Sequence, residues 1–158
     1  MKQRLKPYII SVAISLGTGL LSALLTKNNM NIYEEIVTPP LSPPAFLFPV
    51  VWTVLYVLMG ISAALVYTEK SASMKEKKTA LYFYGASLIF NFLWSILFFN
   101  ARSFLFAFVW LVMLLALIIL TILSYSKIRR TAAYLQIPYA LWVTFAGYLN
   151  LAIWLLNR

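Results

Sequence analysis

The sequence contains no cysteine and no histidine. Their absence removes disulfides, thiolate nucleophiles, zinc sites, Ser-His triads and the usual axial ligands of haem. Charge is scarce as well. Charged residues make up 11% of the 158, and the four acidic ones, Glu34, Glu35, Glu69 and Glu76, all fall between apolar runs. No carboxylate is placed inside a span for acid–base work or for coupling transport to an ion. What fills the chain is apolar. Hydrophobic residues reach 63% and mean hydropathy is +0.85, against about 45–50% apolar and about 25% charged in soluble domains. This is the composition of an integral membrane protein. The net charge of +9 would suggest nucleic acid in a soluble chain, but these basic residues sit in short loops without interleaved aromatics. They read as topology signals, and no nucleic-acid partner is expected.

Five uncharged apolar segments stand out: Tyr8 to Leu25, Phe46 to Tyr67, Ala80 to Phe99, Phe104 to Tyr125 and Ala132 to Leu156. Each is close to the ~20 residues that cross a ~30 Å hydrocarbon core at about 1.5 Å per residue. The expectation is an all-α integral membrane protein, a single bundle of five transmembrane helices forming one domain over residues 1–158, with an outer proline-rich loop over 26–45. The first segment follows Lys2, Arg4 and Lys6, as in a signal peptide, but it is too long and no A-x-A site closes it, so it reads as a retained helix. Alternating the loops puts ten basic residues on one side and three, Lys27, Arg102 and Arg158, on the other. The positive-inside rule then sets the amino terminus in the cytoplasm and the carboxyl terminus outside the plasma membrane. Short connections predict that consecutive helices are antiparallel neighbours. Ser11, Ser15, Gly19 and Ala23 give the first helix a small residue every fourth position, a packing face either within the bundle or for a dimer.

The stretch TPPLSPPAFLFPVVW, Thr38 to Trp52, leads stiffly into the second span. Prolines fix their own φ and constrain the residue before them, so a loop built this way can cap the outer mouth at low entropic cost. A loop that merely spaces helices is the competing reading. Pro49 falls in the first helical turn, where proline is tolerated, and Pro138 should kink the last helix by freeing the carbonyl of Tyr134. Two amides lie well inside the spans, Asn91 and Asn150. Helical spacing puts Trp52 with Tyr56; Asn91 with Trp94, Ser95 and Phe98; and Trp142 with Phe145, Ala146, Leu149, Asn150 and Ile153. Trp110 and Trp154 read as helix packing and interfacial belt. Trp142 is too deep for a belt. Its coincidence in depth with Asn150, Asn91 and Trp52 favours an apolar cavity with flat walls, suited to a flat hydrophobic guest, over plain core packing.

These residues are familiar as a set. PPLSPP (Pro39 to Pro44), VWTVLYVLMG (Val51 to Gly60), NFLWSILFF (Asn91 to Phe99) and PYALWVTFAGYLN (Pro138 to Asn150) resemble, in order, the translocator protein family, also called tryptophan-rich sensory proteins or peripheral-type benzodiazepine receptors. The resemblance covers nearly the whole chain and suggests a bacterial member. It implies a five-helix bundle, commonly a homodimer in the lipid bilayer, that binds porphyrins such as protoporphyrin IX and benzodiazepine-site ligands such as isoquinoline carboxamides. No cofactor is required. By position the ligand-binding residues would be Tyr33, Pro43, Pro44, Trp52, Tyr56, Asn91, Trp94, Trp142, Phe145, Ala146, Leu149 and Asn150, and the tryptophans held to act in light- and oxygen-dependent porphyrin breakdown match Trp52 and Trp142. Two departures are visible. Leu41 stands where the family usually has the tryptophan of W-x-P-P, and Leu151 stands where animal members carry the tyrosine of a sterol motif, so tight cholesterol binding is not expected. The leading expectation is a tetrapyrrole receptor; pigment breakdown and facilitated tetrapyrrole transport are the alternatives.

Overall fold

Polar residues outside the apolar runs decide where the helices start. Ser73 and Glu76 form a reciprocal capping box: the Ser73 hydroxyl accepts from the Glu76 amide at 3.2 Å, and the Glu76 carboxylate accepts from the Ser73 amide at 2.8 Å. In the computed structural model, which describes residues 2–158 with side chains from Arg4 onward, the helix so capped begins at Met74. That is earlier than the apolar run at Ala80, because hydropathy marks only the part of a helix that lies in lipid. The long elements are α1 (Lys2–Thr26), α3 (Leu47–Thr68), α4 (Met74–Ser95), α5 (Phe104–Ile128) and α6 (Arg130–Leu156), with a short α2 (Ile32–Glu35) in the proline-rich loop. Five helices are long and apolar enough to cross a membrane, and the fold is helical throughout the described residues. The side chain of Lys2, counted above among the ten basic residues, lies outside the described ones.

The order around the bundle is α1, α3, α6, α5, α4. Chain neighbours pack as expected except α3 and α4, which touch little; α3 instead lies between α1 and α6. Small residues explain the choice. A Cβ added to Gly60 would stand 2.5 Å from the Cα of Val12, so α1 and α3 meet backbone to backbone. There the buried Ser15 hydroxyl donates to the Tyr56 carbonyl at 2.6 Å, and Gly19 leaves room for the Tyr56 ring. The buried row on α1 continues through Ser22 and Thr26, while Ala23 is exposed. At 3.6 residues per turn a four-residue row drifts by about 40° per step, so the expected ridge leaves the interface before Ala23.

On the far side of α3, Ser62 donates to the Ala132 carbonyl at 2.7 Å and accepts from Gln136 Nε2 at 3.3 Å. Gln136 is fully buried. It is a third amide inside the spans, missed above beside Asn91 and Asn150. Among the described residues every buried polar side chain other than tyrosine is a hydroxyl or a carboxamide, and no charge enters the interior, as the cost of burying charge in hydrocarbon requires. Helix α6 runs unbroken through Pro138, and Pro49 lies in the first turn of α3.

Candidate functional site

The aromatic residues gather where α3, α4 and α6 approach the proline-rich loop. The end of α4 winds into a π-helical turn, Ile96–Asn100, closed by the Ala101 amide on the Ile96 carbonyl at 3.0 Å. Such turns recur at functional sites because the added residue rotates side chains to new bearings. Here the consecutive Phe98 and Phe99 both reach Tyr33 of α2, at ring-centroid distances of 6.3 and 6.1 Å, and both reach Trp94. Tyr33 also stacks on Phe48 at 5.7 Å, and Phe48 stands edge-on to Trp142 at 6.0 Å. Trp142 continues to Phe145 at 5.5 Å. One aromatic wall therefore runs from the loop, through the first turn of α3, to the middle of α6.

The amides serve the frame. Asn150 and Asn91 are each 1% exposed. Asn150 accepts from the Trp94 indole N–H at 3.0 Å and donates to the Phe104 carbonyl at 2.7 Å, tying α6 to α4 and to the start of α5. Asn91 donates to the Tyr139 hydroxyl at 3.1 Å. Within the second layer, Trp52 packs on Tyr56 at 5.7 Å and edge-on to Tyr139 at 6.2 Å. Trp142 differs from the other indoles of the interior: its N–H is buried and meets no acceptor among the described residues.

Two compartments flank Phe48. One, about 200 Å³, lies beneath the proline-rich loop and is walled by Tyr33, Ser42, Pro43, Phe48, Leu149 and Ile153. The other, about 520 Å³, is an apolar groove between α3 and α6, walled by Val50, Val54 and Leu58 on one side and Pro138, Leu141, Trp142 and Phe145 on the other. The groove faces outward, since Val50, Val54 and Leu141 are 55%, 53% and 66% exposed on helices that cross the membrane. Only the groove falls inside the roughly 300–1,000 Å³ of ordinary small-molecule sites.

The proline-rich loop is fastened down. Val37 donates its amide to the Asn157 side-chain oxygen at 2.9 Å and accepts from the Asn157 side-chain nitrogen at 2.9 Å. Tyr148 donates to the Pro40 carbonyl at 2.9 Å, and Arg102 pairs with Glu35 at 2.7 Å. Between these ties the loop turns through Pro39, Pro40, Leu41 and Ser42, with Ser42 donating its amide to the Pro39 carbonyl at 3.4 Å. Leu41 holds φ at 66°, as the third position of a type II turn requires, and its side chain projects into solvent.

The twelve expected site residues thus separate by place. Tyr33, Pro43 and Leu149 line the compartment under the loop; Trp142 and Phe145 line the groove; Trp52 and Tyr56 form the tier behind them. Asn91, Trp94 and Asn150 hold helices together, Ala146 is buried beside them, and Pro44 is exposed. Sequence reasoning passed over Phe48, although it stands four residues before Trp52 on the same face. It also passed over the loop ties at Arg102, Tyr148 and Asn157, which lie far from the loop in sequence and carry no local signal.

Residues 10–155 match the model of the TspO/MBR family. The "Tryptophan-rich protein TspO" of Chlorobaculum tepidum is 32% identical over 158 residues, 99% of either chain. That of Archaeoglobus fulgidus is 33% identical over 94% of this chain and 95% of its own. The "Translocator protein" of Bos taurus is 32% identical over 91% of this chain and 85% of its own.

Proposed function

This chain belongs to the TspO/MBR family, and on that premise we propose that it is a membrane receptor for planar tetrapyrroles of the protoporphyrin IX kind, with benzodiazepine-site ligands as synthetic occupants of the same place. The observation that carries the reading is the aromatic wall through Tyr33, Phe48, Trp142 and Phe145, which borders both compartments. Flat rings present large apolar area in fixed orientation, and ring-on-ring contact contributes about 0.5–1.5 kcal/mol beyond simple burial. With no histidine or cysteine in the chain, the guest is held by stacking and apolar contact instead of by axial ligation. The test is a titration of protoporphyrin IX into detergent-solubilised protein. The Trp52→Ala, Trp142→Ala double variant is expected to bind at least tenfold more weakly; unchanged affinity rejects the site.

One observation favours a second reading, light- and oxygen-dependent breakdown of the bound pigment. The ring of Trp142 lines the groove, where a guest would touch it, with Trp52 in the tier behind. Pigment absorbance is followed under illumination with and without oxygen; decay no faster than that of free pigment in micelles ends this reading.

The same proposal sets the amino terminus in the cytoplasm, on the strength of the ten basic residues on that side. Because the chain has no cysteine, single cysteines at Ser71 and Ser42 report sidedness cleanly to a membrane-impermeant thiol reagent. Cysteine at position 42 is expected to react from outside and at position 71 only after lysis; the reverse overturns the orientation.

A further inference from the structure

The receptor reading leaves open how a guest reaches its place, and the two compartments differ in a way that bears on it. Beneath the loop the space is about 200 Å³, below the usual range of small-molecule sites. Its roof is held by four hydrogen bonds, two exchanged between Asn157 and Val37, one from Tyr148 to Pro40 and one from Arg102 to Glu35. Its floor is sealed by Tyr33 stacked on Phe48 and packed against Phe98 and Phe99. Passage from the water above would have to undo these contacts. The groove between α3 and α6 needs nothing undone. At about 520 Å³ it is already open on its lipid-facing side, and its inner wall is Trp142.

We infer that the groove between α3 and α6 is a lateral binding compartment, which takes a planar apolar macrocycle directly from the bilayer, and that the ring of Phe48 is the partition between it and the space under the loop. The occupant follows from the chemistry of the walls. Trp142 and Phe145 present flat aromatic surface, and Val50, Val54 and Leu141 present aliphatic surface to the lipid. A flat, rigid macrocycle lies face-on against both rings without losing internal freedom, whereas an acyl chain must be ordered to cover them. Phe48 lines only the compartment under the loop, yet stands edge-on to Trp142 of the groove. Rotation of that one side chain joins the two spaces. Phe48 is half-buried in the first turn of α3, where no preceding helical turn crowds its rotamers. This inference rests on the receptor reading and adds a route and a second compartment to it.

The test uses the full chain in lipid vesicles, with protoporphyrin IX supplied already dissolved in the vesicle membrane and its fluorescence followed by stopped flow. Val54→Trp fills the groove from its lipid-facing wall and is expected to slow association at least tenfold. Val109→Trp, a substitution of the same size on the lipid face of α5, is expected to leave the rate within twofold. Leu141→Phe, from the opposite wall, repeats the measurement if Val54→Trp does not fold, as judged by helical content and monodisperse elution. An unchanged rate in the groove variants, with faster association in Asn157→Ala, overturns the lateral route and leaves the receptor reading standing. Failure of the unaltered protein to bind protoporphyrin at all overturns the receptor reading, and this inference with it.

Discussion

Replacing Gly60 by alanine adds one methyl group at the tightest place in the bundle. The new Cβ would lie 2.5 Å from the Cα of Val12 and 2.8 Å from both the Ser15 hydroxyl and a Val12 methyl, where ordinary contact is 3.4–4 Å. A side chain could swing aside, but the nearest atom belongs to backbone, so α1 as a whole must retreat by about 1 Å. That movement stretches the 2.6 Å bond from Ser15 to the Tyr56 carbonyl past useful length. Overpacking of this kind costs about 1–3 kcal/mol, and an interhelical hydrogen bond in a membrane protein contributes about 0.6 kcal/mol more, so the sum is roughly 2–4 kcal/mol. Gly17 and Gly85 serve as controls, because a Cβ at either meets nothing within 4 Å; alanine there is neutral or favourable by up to about 1 kcal/mol. Reversible unfolding in mixed micelles, titrated with sodium dodecyl sulfate and followed by circular dichroism, measures all three. If Gly60→Ala unfolds within about 0.5 kcal/mol of Gly85→Ala, a value chosen near the usual effect of an uncontacted substitution, the account of how α1 docks is wrong.

Asn150→Leu removes the acceptor of the Trp94 indole and strands that N–H in the interior, which costs about 1–3 kcal/mol; adding Trp94→Phe should recover part of the loss, and strict additivity of the two would show that the bond contributes nothing. Asn157→Ala frees Val37 from both of its ties, and amide hydrogen exchange over residues 36–42 is expected to quicken at least tenfold while global unfolding hardly moves; unaltered exchange would mean that the Asn157 bonds do not hold the loop. Hydrogen bonds from the Ser73 hydroxyl and then its amide hold the Glu76 carboxyl below the ordinary glutamate range. The contribution of the cap is therefore complete above about pH 4.3 and lost as the pH falls through the lowered value in the folded state. Protection of the first turn of α4, corrected for intrinsic exchange rates, should decline with acid in the natural protein and be flat in Glu76→Gln; the same decline in both refutes the assignment.

Much of the architecture could be read from the chain because lipid imposes a simple rule on it: a span must be long, apolar and helical to satisfy its own backbone. The ends of α4 and α6 were harder to place, since Lys75, Lys77 and Arg130 lie in helices but outside the apolar runs. Neighbour order was not legible where α3 turns from α4 to α6, because partners remote in sequence, such as Ser62 with Ala132 and Gln136, make that contact. The aromatic stripe on α6 was visible through its spacing, and so was the pairing of Trp52 with Tyr56. What the stripes could not reveal was which amides face a cavity and which tie helices, because that choice is made by partners remote in sequence: Phe104 for Asn150 and Tyr139 for Asn91. The division into two spaces depends on the bearing of one ring, Phe48, which periodicity places on a face but not at an angle.

The placement of α3 beside α6 also governs when the protein comes into being. The second helix to cross the membrane supplies one wall of the groove, and the last supplies the other. A nascent chain with four long helices made already owns Trp52, Trp94 and the whole proline-rich loop, yet has no groove. Only the twenty-seven residues of α6, the fifth long helix to be made, set Trp142 and Phe145 opposite α3 and turn an open helix face into a recess.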